Sequence, residues 1–185
     1  MLGLSSAAPL SANELTINVG GGPQWGSDYA NGESSQINTT AGIDYSFYRH
    51  DRSPRSSIHI GASYTYMRAN TEEYNEIHAI SIYPQLTMYP STQSWIRSAM
   101  PRNTVPFFYV RALAPSYIGA NRLGAQQQSR NFAFQAQIGV GALVYRRQNR
   151  QVVIAISWKH FSNANLFSDN DGIDLPIVLN FGMRF

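Results

Sequence analysis

The sequence predicts an all-β protein, an eight-stranded antiparallel transmembrane β-barrel, from three observations. Eight segments of about ten residues, the length of a membrane-spanning strand, alternate between apolar and polar side chains. The apolar faces end in aromatic residues, as the girdles of membrane barrels do. The opposite faces carry Gln, Asn, Ser, Thr and Gly more often than the Lys and Glu of a solvated surface. A soluble barrel or sandwich with an apolar interior shares only the alternation, so we favour the membrane barrel.

The composition agrees with a barrel that meets lipid through strands. Of the 185 residues 43% are hydrophobic and only 14% are charged, against roughly 25% charged in soluble domains. No apolar run approaches the roughly 18 residues of a membrane-spanning helix. Cysteine is absent, which excludes disulfides, thiolate nucleophiles and Cys-ligated metals.

The chain reads as one domain behind a short leader. Residues 1–12 are similar to the end of a secretory signal without its charged n-region, and Ala7, Ala8 and Ala12 are small enough for a cleavage site. We expect residues 1–12 to be the remnant of a signal peptide or a disordered N-terminus, and residues 13–185 to form a single β-barrel domain.

The first four predicted strands alternate clearly. The first starts at Glu14, and we expect residues 20–23 (Gly-Gly-Gly-Pro) to break it. Asp44 lies on the polar face of the second strand and needs water or a partner. Residues 49–55 predict a tight charged turn, and Pro84 predicts an irregularity in the fourth strand because it cannot donate a ladder hydrogen bond. The apolar faces are Leu15, Ile17 and Val19; Ile37, Ala41, Ile43, Tyr45 and Phe47; Ile58, Ile60, Ala62, Tyr64 and Tyr66; and Ile80, Ile82, Leu86 and Met88.

The second half of the chain has the longer connections. Residues 90–106 form the longest of these, with a helical turn expected at 93–99. The fifth strand (107–118) has the least regular pattern, because Arg111 falls among apolar residues and Pro115 interrupts it. The sixth has the clearest pattern, and the eighth begins near residues 174–176. The apolar faces of the last three strands are Phe132, Phe134, Ala136, Ile138, Val140, Ala142 and Val144; Val152, Ile154, Ile156 and Trp158; and Ile177, Leu179, Phe181, Met183 and Phe185.

A base and a hydroxyl continue the apolar face of the seventh strand. His160 and Ser162 share the parity of Ile156 and Trp158, and residues two apart in a strand lie on one face. An imidazole can take the proton of a serine hydroxyl, which then becomes a nucleophile, and a third group can fix the tautomer of the imidazole. The pair therefore points to an ester hydrolase, although a bare His-x-Ser is also common at strand ends without any function.

The remaining parts of such a site follow within about fifteen residues. Asp169, Asp171 and Asp174 are all candidates for the third group. N–H donors for an oxyanion are available from Gly172 and from three asparagines, namely Asn163, Asn165 and Asn170.

Residues 160–164 (His-Phe-Ser-Asn-Ala) and 170–174 (Asn-Asp-Gly-Ile-Asp), before a last strand that ends in Phe185, resemble the signature of the lipid A 3-O-deacylases (PagL), which are outer-membrane esterases. The resemblance implies a triad of Ser162, His160 and Asp174, with Asn170 in the oxyanion hole. The family acid is usually Glu, so Asp174 is one methylene shorter. The residue after Asn-Ala is usually Gly, and here Asn165 stands in its place, although Asn tolerates a positive φ better than most residues.

The strand parity also predicts where the substrate lies. If Ile154 and Ile156 face lipid, His160 and Ser162 face lipid too, near the rim from which the loops leave. Only a molecule already in the bilayer reaches such a site, so the substrate is an acylated lipid of the outer leaflet. Strict parity would put Asp174 in the lumen, so we expect the chain to be still in loop geometry there, before Pro176.

The sequence therefore predicts a serine esterase of the bacterial outer membrane. By resemblance it removes the ester-linked 3-position hydroxyacyl chain from lipid A of lipopolysaccharide. We expect no cofactor and no metal, and a homodimer as an assembly. No basic cluster is interleaved with aromatics, so we expect no nucleic-acid partner. The alternatives are a non-enzymatic structural or adhesive barrel and an outer-membrane phospholipase.

Overall fold

The computed structural model describes residues 13–25, 36–53, 55–90, 101, 103–145 and 150–185. The expectations for residues 1–12 and for a helical turn at 93–99 lie outside this part of the chain. The strands are β1 (Glu14–Pro23), β2 (Ile37–Ser53), β3 (Ser56–Ala69), β4 (Glu76–Met88), β5 (Thr104–Ile118), β6 (Arg122–Leu123), β7 (Gln126–Gln127), β8 (Phe132–Tyr145), β9 (Gln151–Ser162) and β10 (Ile173–Arg184).

Eight of these strands form a closed antiparallel barrel in the order β1-β10-β9-β8-β5-β4-β3-β2, and β6 pairs only with β7 in a small hairpin. Closure pairs β1 with β10, so the barrel has no free edge. The predicted fold class is thus confirmed. Among the described residues there is no helix long and apolar enough to cross a bilayer.

The barrel exposes its apolar faces and buries its polar ones. Ile17 is 56% exposed and Ile154 is 44% exposed, whereas their luminal neighbours Asn18 and Ala155 are buried. The assignment of faces from sequence holds for β1 to β4 and for β8 to β10. Such an inverted distribution is stable only when the outer face is in contact with lipid.

The lumen is filled by a hydrogen-bonded polar core. Arg111 Nη1 donates to Asp44 Oδ2 over 2.9 Å, and its guanidinium lies 3.5 Å from the centre of the Tyr83 ring. Lys159 Nζ donates to Asn18 Oδ1 and to Thr65 Oγ1, both over 3.3 Å. Asp44 thus has the partner that its position in the second strand requires.

Two irregularities explain where the sequence pattern is weak. In β5 one extra residue lies between Arg111 and Ala114, so both point inward although their numbers differ in parity. Leu113 takes a φ of 51° there. The same bulge faces the segment of β4 that contains Pro84, where the ladder is interrupted as predicted.

Two predicted boundaries are wrong. β1 continues through residues 20–23, because its glycines pair in the ladders to β2 and β10. The charged segment 49–55 is mostly strand, since β2 runs to Ser53 and β3 begins at Ser56. The connections 24–36, 70–75, 119–131 and 163–172 leave from one rim, which we call the loop rim. The end of β4 and the start of β5 lie at the opposite rim.

Candidate active site

The predicted site residues lie where β9 and β10 meet the loop rim. The odd-numbered residues of β9 are buried, and Ile154, Ile156, Trp158, His160 and Ser162 lie on the outer face. This confirms the face predicted from parity. His160 is directly opposite Asp174 in the β9–β10 ladder.

His160 and Asp174 form a close pair. The His160 Nδ1 and Asp174 Oδ1 atoms are 2.9 Å apart. Because a carboxylate can only accept, Nδ1 carries the hydrogen of this bond and Nε2 is left as the acceptor of a neutral imidazole. The pair thus presents a proton acceptor on the outer wall.

Asp174 reaches the outer face for a reason that differs from the predicted one. It is already in β10 and not in a loop. One extra residue in β10 between Leu175 and Val178 shifts the register against β9, so the parity of the strand inverts across this bulge. The expectation of loop geometry is therefore wrong, and a β-bulge moves the carboxylate out of the lumen.

Two further residues hold Asp174, and sequence reasoning missed both. Trp158 Nε1 donates to Asp174 Oδ1 over 3.2 Å, and the Trp158 ring stacks on His160 with centroids 5.3 Å apart. Gln24 Nε2 donates to Asp174 Oδ2 over 3.2 Å. Trp158 shares the parity of His160 and could have been found on that signal, whereas Gln24 has no local signal because it is 150 residues away in sequence.

Gly172 lies directly against the imidazole. A Cβ on Gly172 would be 2.3 Å from His160 Cε1, well inside any normal contact. The absence of a side chain at position 172 therefore allows the ring to sit over the loop. Sequence reasoning assigned Gly172 only a donor role.

Ser162 is half-buried at the end of β9, on the same face as His160 and opposite Phe134 of β8. Within the described residues no hydrogen bond joins Ser162 Oγ to His160. Side chains two apart on one face lie roughly 6.6 Å apart at Cα, so the two residues are neighbours on the outer wall. Phe134 continues into an aromatic cluster with Phe132 and Phe167, whose ring is capped by the Arg130 guanidinium at 4.6 Å.

The three predicted oxyanion asparagines form one hydrogen-bonded loop after Ser162. Asn170 Oδ1 accepts from the Asn163 backbone N–H over 2.7 Å, and Asn170 Nδ2 donates to Asn165 Oδ1 over 2.8 Å. The Asn163 side chain is buried and donates to Asp169 O over 3.1 Å. Asn165 takes a φ of 59° and Ala164 one of 53°, so the left-handed turn does form with Asn at position 165.

The loop after Ser162 keeps N–H donors close to the end of β9. Asn170 Nδ2 keeps one hydrogen beyond its bond to Asn165, and the backbone N–H groups of Ala164 and Asn165 have no hydrogen-bond partner within the described ranges. The backbone N–H of Asn163, by contrast, is used inside the loop. Unpaired donors of this kind can stabilise an oxyanion.

The other two candidate acids lie apart from the imidazole. Asp171 Oδ2 accepts from the Gln127 backbone N–H over 3.0 Å and so ties the loop to β7. Asp169 is exposed with a φ of 48°. Of the three candidate aspartates only Asp174 contacts His160. In the part of the chain that is described, no group of three or more His, Asp or Glu residues is arranged to hold a metal ion.

The comparisons with known proteins identify the family and the fold. Residues 91–184, half of the chain, match the family profile "Lipid A 3-O-deacylase (PagL)". No curated protein matches the sequence. The solved outer-membrane enzyme PagL is similar in fold, with a TM-score of 0.59 and 16% identity, over 91% of this chain and 97% of that chain. Neisserial surface protein A is also similar, with a TM-score of 0.54 and 12% identity, over 93% of this chain and 95% of that chain. The chain is therefore an outer-membrane β-barrel hydrolase that belongs to the lipid A 3-O-deacylase (PagL) family.

Proposed function

We propose that the protein removes the 3-position hydroxyacyl chain of lipid A by serine catalysis. In this proposal Ser162 is the nucleophile, His160 is the base and Asp174 orients His160. The observation that supports it most is the His160–Asp174 pair, placed on the outer wall with Ser162 on the same face. The family description, lipid A 3-O-deacylase, supports the choice of lipid A and of the 3-position.

The reaction would run in two halves. The Ser162 Oγ attacks the ester carbonyl while His160 Nε2 takes its proton, and Asp174 stabilises the imidazolium that forms. The tetrahedral intermediate collapses with loss of the sugar hydroxyl, which takes the proton back from Nε2. Water, deprotonated in the same way, then attacks the acyl-serine ester and releases the fatty acid.

The oxyanion of each tetrahedral intermediate would be held by the loop after Ser162. We assign this role to Asn170 Nδ2 and to the backbone N–H of Asn165. Asn163 contributes by holding Asn170 Oδ1 through its own amide. Preorganised donors of this kind typically contribute about 10²–10³ in kcat.

The outer-face position supports a bilayer lipid as substrate. The surface below Ser162 is lined by exposed aliphatic residues such as Ile154 and Ile156, which suit acyl chains. The loops above are polar, which suits a phosphorylated sugar head group. We therefore assign lipid A of lipopolysaccharide, in the outer leaflet, as the substrate.

The test uses refolded protein in vesicles that contain lipid A. Mass spectrometry should show the loss of one hydroxyacyl chain and the release of one 3-hydroxy fatty acid, whereas glycerophospholipids in the same vesicles should stay intact. Ser162→Ala and His160→Ala should each lose several orders of magnitude in turnover. Ser168→Ala, on an exposed loop serine, should turn over normally.

Heat-modifiable migration on gels shows that each variant is a folded barrel. Near-normal hydrolysis by a folded Ser162→Ala variant would exclude the serine mechanism, and loss of a different acyl chain would exclude the 3-position. The homodimer stays a prediction that cross-linking in vesicles can test.

A further inference from the structure

Gln24 follows the last residue of β1 and is buried at the loop rim, with 2% of its surface exposed. Its Oε1 accepts from the Asn38 side chain over 2.7 Å and from the Asp174 backbone N–H over 3.0 Å. Its Nε2 lies within hydrogen-bond distance of Trp25 O, Gly172 O and Asp174 Oδ2, at 2.8, 2.7 and 3.2 Å. Nε2 has two hydrogens for these three acceptors, so one hydrogen is shared between two of them, and both ends of the amide are fully used.

Gln24 contacts the two residues that enclose the His160 ring. Asp174 accepts from Nδ1 on one side of the ring, and Gly172 lies against Cε1. The Gln24 side chain holds Gly172 and Asp174 at a fixed separation, because it bonds both the Gly172 carbonyl and the Asp174 carboxylate. We infer that Gln24 is a positioning residue of the active site, which acts by fixing Asp174 and Gly172 around the imidazole; this inference rests on the proposed function.

The chemistry of the carboxylate favours this role. Asp174 Oδ1 has two donors, His160 Nδ1 and Trp158 Nε1, whereas Gln24 is the donor to Oδ2. The Asp174 side chain is 8% exposed, so without Gln24 the Oδ2 atom would lose a bond that water is poorly placed to replace. The carboxylate could then rotate about χ2, and the tautomer and orientation of His160 would no longer be fixed.

The short acid makes this support more important. An aspartate has only two side-chain torsions with which to direct its carboxylate to the imidazole. The ladder places its Cα directly opposite that of His160, and the Gln24 bonds to the backbone N–H and to Oδ2 hold the residue at both ends. We therefore expect Gln24 to affect the chemical step and to leave substrate binding unchanged.

The experiment replaces Gln24 with methionine, which has a similar volume but no amide. Turnover of lipid A in vesicles should fall about 10- to 100-fold in kcat, with KM changed by less than about threefold, because misplacement of a catalytic group acts on the transition state. Gln137→Met is the matched control, since Gln137 is also fully buried and hydrogen-bonded but lies in the lumen. It should keep its kcat even if it loses stability.

A double-mutant cycle tests whether Gln24 acts through Asp174. In an Asp174→Asn background, Gln24→Met should lower kcat several-fold less than it does in the wild type, because most of its target is already lost. A Gln24→Met variant with normal kcat, a change confined to KM, or an equal loss in both backgrounds would overturn the inference.

A second variant guards against misfolding. Gln24→Glu keeps the acceptor for Asn38 and for the Asp174 N–H but turns a carboxylate oxygen towards Gly172 O and Asp174 Oδ2. Folded Gln24→Glu should therefore lose kcat at least as much as Gln24→Met. If neither variant folds, Gln24 is structural and the inference is overturned. Ser162→Ala separates the two claims: hydrolysis by that variant overturns the proposed function, whereas its inactivity together with a normal kcat for Gln24→Met overturns only the inference.

Discussion

The contact between Gly172 and His160 gives the sharpest test of the site geometry. In Gly172→Ala the new Cβ would lie 2.3, 3.1 and 3.3 Å from His160 Cε1, Nε2 and Nδ1, whereas ordinary contacts begin at 3.4 Å. The backbone at this position is held, because the Gly172 carbonyl accepts from Gln24. The ring therefore has to move by about 1 Å, a misplacement that can cost about a hundredfold in turnover.

The assay is the release of fatty acid from lipid A in vesicles, with gel migration before and after heating as the measure of folding. Gly119→Ala is the control, because Gly119 is also a loop-rim glycine but an added Cβ there would be 3.5 Å from its nearest neighbour. We expect Gly119→Ala to be fully active and Gly172→Ala to be folded but about a hundredfold slower. Equal activity of the two variants would show that His160 is not held against position 172 during the reaction.

Three further predictions concern the acid, the lipid face and the lumen. Asp174→Asn should lower kcat by several orders of magnitude while Asp171→Asn keeps most activity, and the reverse order in the same assay would exclude Asp174 as the triad acid. Ile154→Arg should lower the unfolding free energy in vesicles by about 2–4 kcal/mol, whereas Leu166→Arg, in a loop, should lower it by less than about 1 kcal/mol. Equal values from denaturant titrations would contradict the assignment of Ile154 to the lipid face. Asp44→Asn should cost about 3–5 kcal/mol, because it leaves a buried guanidinium without its partner, and an unchanged denaturation midpoint would show that the luminal ion pair does not contribute.

Local alternation was sufficient to predict the faces of the barrel, because the side-chain period of a strand is visible within a few residues. Ile154 and Ile156 could be assigned to the lipid, and His160 with them, from parity alone. The sequence showed that Asp44 needs a partner but could not identify it, since Arg111 lies in another strand, 67 residues later.

The bulges could not be predicted in this way, because one extra residue inverts the parity of everything that follows without any local signature. In β5 this made the pattern around Arg111 and Ala114 look irregular, although both residues are luminal. In β10 the bulge lies between Asp174 and the regular part of the strand, so counting parity back from Ile177 assigns Asp174 to the lumen. The resemblance to a family motif pointed to the residue that pairs with His160, whereas counting alone would have placed it in the lumen.

The bulge in β10 depends on the glycines that were expected to end β1. Gly20 pairs with Val178, and a Cβ on Gly20 would lie 2.1 Å from the Ile177 carbonyl oxygen. Gly22 has a φ of 145° and lies against the Pro176 ring, where a Cβ would be 3.2 Å away. A side chain at position 20 would collide with the displaced backbone of β10, and one at position 22 would press on the Pro176 ring, so these glycines make room for the bulge. Gln24, two residues after Gly22, then bonds the carboxylate that the bulge has moved to the outer face. The first strand therefore accommodates the register shift that puts the carboxylate on the lipid side, and the residue that follows this strand bonds that carboxylate.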